Sequence, residues 1–126
     1  MVNLVIFAVD VKKVADFYQA VIGVSPCPNP GDNKKDLRLG KEGEEVLIHS
    51  IPNHIAKTIS LQSPPTPRED SALKPVFAVE SLRDSLEQVP LKGGVVTSMT
   101  FTLDGLTRHD VLDPEGNVIQ LRSTGL

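Results

Sequence analysis

The chain has 126 residues, 40% of them hydrophobic and 23% charged, with a formal net charge of -3. This length and composition are typical of one globular domain with its own hydrophobic core. The slightly negative charge and the low aromatic content (4%) argue against nucleic-acid binding. No apolar run approaches the roughly 20 residues that span a bilayer, so we expect no membrane partner. The single cysteine, Cys27, and the lack of a signal-peptide pattern predict a cytoplasmic protein.

The first half of the chain begins with a strand and a helix. Residues 2–9 are mostly apolar β formers and predict a buried strand. Asp10 follows as a helix N-cap, and Gly23 is the expected C-cap. Between them, apolar side chains recur on one helical face, at Val14, Phe17, Tyr18, Val21 and Ile22.

Three more strands are predicted before the middle of the chain. Residues 25–35 are rich in Pro, Gly and Asn and predict a loop. Residues 36–40 and 45–51 then form a hairpin, and residues 57–62 alternate weakly as a fourth strand. The segment 63–72 is polar, contains three prolines and predicts a linker.

The second half repeats this order of elements. Residues 75–79 predict a strand, and a short helix follows that Pro90 ends. Residues 95–103 and 106–112 predict a hairpin, residues 113–117 a turn, and residues 118–122 the last strand. We therefore predict a single domain, residues 1–126, with module one at about 1–62, the linker at about 63–72 and module two at about 73–126.

Part of this repetition is visible in the letters of the sequence. Residues 5–10 read VIFAVD, and residues 75–80 read PVFAVE. Each copy leads into an amphipathic stretch that ends at a glycine, Gly23 or Gly93. Two such units can pack as a pseudo-symmetric pair with a ligand site beside them.

Three motifs resemble one known superfamily. They are Asp10 followed by Phe17-Tyr18 and Ile22-Gly23, the segment 77–82 (FAVESL), and the segment 113–121 (DPEGNVIQL). Together they resemble the vicinal oxygen chelate superfamily, which includes glyoxalase I, bleomycin-resistance proteins, fosfomycin-resistance enzymes and extradiol dioxygenases. The resemblance implies an α+β fold of two βαβββ modules that form a cup-shaped, barrel-like mixed sheet. It also implies a possible homodimer.

The resemblance further implies where a divalent metal would bind, and this sequence departs from that pattern. The corresponding positions carry Asn3 on the first strand, Lys74 before module two's first strand (or Leu73 if the register slips by one), and Gln120 on the last strand. Asn and Gln are weak ligands for such metals, and a protonated Lys repels them. We therefore expect no metal cofactor. If Zn, Ni, Mn or Fe is bound, His49 and Gln120 are the expected ligands.

The remaining candidates are ligand-binding residues. His109 lies on the penultimate strand, where it either lines the cup or makes an ordinary hydrogen bond. Arg122 shares a strand face with Gln120 and offers a forked donor to a carboxylate or phosphate, or else is an exposed surface residue. The expected ligand-binding set is thus Asn3, His49, Lys74, His109, Gln120 and Arg122.

Three functions remain open on this sequence. The first is a protein that binds a small polar or anionic organic molecule in the sheet cup without a metal. The second is a metal-dependent lyase, isomerase or dioxygenase with a degenerate ligand set. The third is a structural or regulatory module without a ligand. The first is favoured because the metal positions are altered, although catalysis is undecided.

Overall fold

A computed structural model describes residues 2–41, 43–68 and 72–123 and contains two four-stranded mixed sheets and three helices. Residues 69–71 of the predicted linker lie outside the described residues. In chain order the elements are β1 (Leu4–Ala8), α1 (Val11–Ile22), β2 (Ser25–Pro26), β3 (Leu37–Lys41), β4 (Glu44–Ser50), α2 (Asn53–Ala56), β5 (Val76–Ala78), α3 (Leu82–Leu91), β6 (Val95–Leu103), β7 (Leu106–Leu112) and β8 (Val118–Ser123).

Both sheets have the same topology. Sheet one has the order β1-β4-β3-β2 and sheet two the order β5-β8-β7-β6. The first strand of each module pairs in parallel with the last, and the other pairs are antiparallel. The predicted α+β fold of two βαβββ modules is confirmed, although the two sheets do not close into a barrel over the described residues.

The fourth strand of sheet one is not the predicted one. Residues 57–62 form no strand, because the amides of Thr58 and Ile59 bond back to the preceding helical turn. The place is taken by β2, whose Ser25 pairs with Gly40 of β3. A proline at residue 26 is tolerated there because β2 is an edge strand.

The helix boundaries follow local signals. The Asp10 side chain accepts a hydrogen bond from the Lys13 amide, and Gly23 ends α1 in the left-handed region at φ 78°. In contrast, α3 continues one residue past Pro90, to Leu91. Pro90 lies in the last turn, where its missing N–H removes only one helical hydrogen bond.

The two modules share one core. Helices α1 and α3 pack against each other, and the Tyr18 ring meets the edge of Phe77 with centroids 5.9 Å apart. Burial of this apolar surface is the main stabilising contribution. The buried core includes Val14, Phe17, Tyr18, Leu39, Ile48, Phe77, Val89, Val111, Ile119 and Leu121.

Polar bonds also join the modules. The Tyr18 hydroxyl donates to Asp113 Oδ2 at 2.8 Å, and both groups are fully buried. Burial, followed by the Asp113 charge, raises the pKa of Tyr18 well above its ordinary value. Asp113 also accepts the amides of Glu115 and Asn117, so it organises the turn between β7 and β8.

The structural repeat is offset by one residue from the repeat seen in the sequence. Ser81, not Glu80, caps α3 as Asp10 caps α1. As a result, Phe7 is 59% exposed whereas Phe77 is buried. A shift of one residue along a strand moves each side chain to the other face. Asn3 therefore corresponds to Lys74.

Candidate functional site

Each sheet packs one face against α1 or α3, and we call the opposite face helix-free. In sheet two, β7 and β8 pair so that Asp110 lies opposite Gln120 and Arg108 opposite Arg122. These four side chains alternate with the core residues of their strands and therefore lie on the helix-free face. Lys74, which precedes β5, joins them through its side chain.

A row of hydrogen bonds crosses the helix-free face of sheet two. Lys74 Nζ lies 2.6 Å from Asp110 Oδ2, and Gln120 Nε2 donates to Asp110 Oδ1 at 3.1 Å. Arg108 Nη1 then donates to Gln120 Oε1 at 2.9 Å. Asp110 and Gln120 are each only 5% exposed, so the polar row is embedded in the sheet and its geometry is constrained. We call these four residues the polar row.

Arg122 extends the polar row at the Arg108 end. The Nε atoms of Arg108 and Arg122 are both buried and have no hydrogen-bond partner among the residues that the structure describes. Buried donors in proteins are normally paired. On this face, the neighbouring Arg108 and Arg122 therefore each have a buried N–H donor that lacks a hydrogen-bond acceptor among the described residues.

The donor set around Gln120 does not fit the metal that the resemblance implies. Both ends of the Gln120 amide are already bonded, and the Lys74 ammonium is fixed beside them. Within residues 2–41, 43–68 and 72–123, no three His, Cys, Asp or Glu side chains are grouped closely enough to hold a metal ion. His49, the other expected ligand, is on sheet one.

On sheet one, His49 is held in a specific orientation on the helix-free face. Its Nδ1 lies 2.8 Å from Asp36 Oδ2, and Asp36 Oδ1 accepts the Ser50 amide at 2.9 Å. The Phe7 ring packs edge-on against the imidazole with centroids 5.1 Å apart. Asp36 was missed from sequence, although it directly precedes β3, the strand that pairs with β4.

A charged cluster lies on the same face of sheet one. Arg38 bonds to both oxygens of Asp32 and also donates to Glu45 Oε1 at 2.9 Å. The hydrogen bonds from Arg38 hold the pKa of Asp32 below its ordinary value. Because its guanidinium is shared between two carboxylates, Arg38 is already neutralised and is a poor candidate for ligand binding.

Asn3 has a structural partner as well. Its side-chain Oδ1 accepts a hydrogen bond from the Glu45 backbone N–H at 2.9 Å. The backbone N–H of Asn3 donates to the Glu45 carbonyl oxygen. Asn3 and Lys74 nevertheless line one cavity of about 470 Å³ between the modules, with Val76 and Phe77 on its wall. The structure thus places Asn3 and Lys74, two positions where the resemblance implies metal ligands, beside the same cavity.

His109 is placed away from the other candidates. It pairs with Leu121 across β7 and β8 and lies on the face that carries α3. Its Nε2 is 2.6 Å from the Thr97 carbonyl oxygen, and it lines a cavity of about 490 Å³ beside Leu82 and Leu86. The structure therefore groups Lys74, Gln120 and Arg122, and separates them from His109. Arg108 and Asp110 occupy the face that His109 does not.

Comparison with solved structures places this arrangement among known folds. A glyoxalase/bleomycin resistance protein from Albidiferax ferrireducens superposes with a TM-score of 0.66, covering 95% of this chain and 94% of that one at 18% identity. The chain has the glyoxalase/bleomycin-resistance fold. This is the fold that the sequence motifs implied.

Two other solved structures match this chain at similar TM-scores and at lower sequence identity. A hypothetical protein from S. aureus has a TM-score of 0.67 at 16% identity, covering 95% of this chain and 93% of that one. The fosfomycin resistance protein FosX from Mesorhizobium loti has a TM-score of 0.66 at 10% identity, covering 98% and 90%. No model of a known protein family matches the sequence, and no curated protein sequence matches it. The fold itself supports several chemistries, so function has to be argued from the site.

Proposed function

We propose that this protein binds a small polar or anionic organic molecule on the helix-free face of sheet two, without the metal usual for its fold. The observation that carries the proposal is the polar row from Lys74 to Arg108, which includes two positions, Lys74 and Gln120, where the resemblance implies metal ligands. The fold is that of glyoxalase/bleomycin resistance proteins. The comparison gives the fold, and ligand binding by this chain is our proposal.

The preference for an anionic ligand follows from the charges on this face. Lys74, Arg108 and Arg122 are cationic, and Asp110 is the carboxylate among them. The Lys74 ammonium has three donors, and its contact with Asp110 uses one of them. Its side chain is 42% exposed, so the other donors are open to a ligand.

The proposal that the site works without a metal rests on donor chemistry. A divalent ion needs several anionic or imidazole ligands that converge on one point. The Gln120 amide would have to break its bonds to Asp110 and Arg108 before it could bind a metal, and the Lys74 ammonium would repel the ion. Lys74 offers ammonium N–H donors in its place, while Asp110 matches its charge.

We also propose that the protein forms a homodimer and acts in the cytoplasm. On the helix-free face of sheet one, Val5 is 43% and Phe7 59% exposed, and Val76 on sheet two is 45% exposed. Apolar side chains of this size are favourable at an interface with a second copy. No helix over the described ranges is long and apolar enough to cross a membrane. Light scattering measures the mass in solution, and a monomer at micromolar concentration would exclude the dimer.

The binding proposal is tested by calorimetry with a panel of small carboxylates, dicarbonyls and catechols. Protein treated with a chelator is compared with protein loaded with Zn, Ni, Mn or Fe. We expect acidic members of the panel to bind equally well in both preparations. Binding or turnover that appears only after metal is added would refute the metal-free proposal.

Variants of Lys74 make the test specific. We expect Lys74→Met to weaken the binding of acidic ligands at least tenfold, about 1.4 kcal/mol, and Lys74→Arg to retain most of it. Lys57→Met, at an exposed position, is the matched control. Circular dichroism checks the fold, because Lys74→Met leaves the buried Asp110 without its cation. Unchanged affinity in folded Lys74→Met would exclude a role for this ammonium.

A further inference from the structure

Arg108 and Arg122 are direct neighbours on the helix-free face of sheet two. They are partners in the register of the antiparallel strands β7 and β8. Side chains opposite each other in such a pair have Cβ atoms about 4.5–5.5 Å apart. Like charges in this position repel each other and destabilise the sheet. Arginine stays protonated at any ordinary pH, so the chain cannot relieve the repulsion by losing a proton.

Nothing in the described part of the chain neutralises this pair. Both oxygens of Asp110 are already bonded, one by Lys74 and the other by Gln120. The contact that Arg108 makes with Gln120 is to a neutral amide. No carboxylate among residues 2–41, 43–68 and 72–123 forms an ion pair with either guanidinium. Each arginine also keeps a buried Nε without a partner.

We infer that Arg108 and Arg122 form a paired guanidinium site for a ligand carrying two negative charges on oxygen, such as a dicarboxylate or a phosphate or sulfate group. This inference rests on the proposed function and specifies its ligand class. Two positive charges without a counter-charge are matched by a dianion, whereas a monocarboxylate would leave one of them unneutralised. Guanidinium groups also present parallel N–H donors that fit planar or tetrahedral oxyanions. Arg108, absent from the sequence-based set, is a specificity-determining residue.

Lys74 has a different part in this arrangement. Its charge is matched by Asp110 at 2.6 Å, so it adds hydrogen-bond donors to the site but little net charge. Gln120 connects the two parts, because its amide donates to Asp110 and accepts from Arg108. The polar row therefore holds Arg108 in place, whereas Arg122 makes no side-chain hydrogen bond to any residue that the structure describes.

The experiment measures the melting temperature of the full chain with malonate, sulfate or acetate at matched ionic strength. We expect malonate and sulfate to raise the melting temperature of the wild type by about 5 °C or more at saturating concentration, and acetate to have a much smaller effect. Arg122→Met keeps the apolar stem but removes the charge. Without added anions, we expect this variant to melt at or above the wild-type temperature, because the repulsion is gone.

The two arginine variants decide the outcome. Arg122→Met and Arg108→Gln should each lose the gain from malonate and sulfate, while Arg83→Met, exposed on α3, should keep it. Equal gains in wild type, Arg122→Met and Arg108→Gln would overturn the inference. So would equal stabilisation of the wild type by acetate and malonate.

These failures are distinct from failure of the proposed function. If monocarboxylates or neutral ligands from the calorimetric panel bind in a Lys74-dependent way while dianions do not, the proposed function stands and the paired site is refuted. If neither the panel nor the dianions bind, both are refuted.

Discussion

Replacing Glu115 by Gln should destabilise the fold by about 2–3 kcal/mol. The Glu115 carboxylate accepts the amides of Val9 at 2.9 Å and Asp10 at 2.8 Å, and thereby ties the end of β1 to the turn between β7 and β8. It is 4% exposed, and Arg68 Nη2 lies 3.6 Å away. The amide of Gln accepts only one of the two bonds and turns a donor toward the other. One buried N–H then loses its partner, which costs about 1–3 kcal/mol, and the charge assistance is lost from the second bond.

Urea denaturation followed by circular dichroism measures this change in the free energy of unfolding. Glu87→Gln, at an exposed position on α3, is the matched control and should stay within about 0.5 kcal/mol of the wild type. Hydrogen exchange gives a local readout, because the Val9 and Asp10 amides should exchange faster in the variant. If Glu115→Gln is as stable as Glu87→Gln and the two amides keep their protection, the carboxylate does not join the modules as described.

Two further predictions concern the core. Tyr18→Phe should cost about 1–2 kcal/mol near neutral pH, because Asp113 loses a buried donor. The pKa of Tyr18 is raised in the folded state. Its contribution to the free energy of unfolding is therefore complete below the unfolded pKa of about 10. It is lost as the pH rises above that value, by up to about 1.4 kcal/mol per pH unit. The stability difference between wild type and Tyr18→Phe should therefore shrink in urea titrations above pH 10, and a constant difference would contradict this. Gly94→Ala should cost about 1–3 kcal/mol of stability, because its Cβ would lie 2.6 Å from Phe17 Cε2. The control Gly31→Ala adds a Cβ that meets nothing within 4 Å, so it should be neutral. Equal urea midpoints for the two variants would refute the close packing at Gly94.

Local signals explain why most of the fold is predictable from sequence. The cap at Asp10, the apolar face of α1 and the left-handed Gly23 act within one or two helical turns, and the hairpin turn at Asp104 and Gly105 has positive φ at both residues. The strand at residues 57–62 was wrong because alternation alone does not supply a pairing partner. β2 was missed because its two residues pair with β3 through the backbone, which leaves little trace in side-chain pattern.

The site is less predictable, since it depends on which face of each strand meets the helices. Alternation on β7 separates Arg108 and Asp110 from His109, but does not say which set lies on the helix-free face. Packing of Val111 and Leu121 against the helices decides it, and places Arg108 beside Arg122. That the candidate residues bind a ligand remains a prediction.

By itself, the sequence determines two βαβββ modules, because periodicity, caps and turn residues act over short distances. It also carries Asn3, Lys74 and Gln120 at positions where the resemblance implies metal ligands. Only the tertiary structure decides the register between the modules, where the cap at Ser81 shifts the apparent repeat by one residue and relates Asn3 to Lys74. It alone shows that Asp110 neutralises Lys74, while no carboxylate among the described residues pairs with the neighbouring arginines. The physical reason is that charge pairing and burial are set by side chains from strands far apart in the chain.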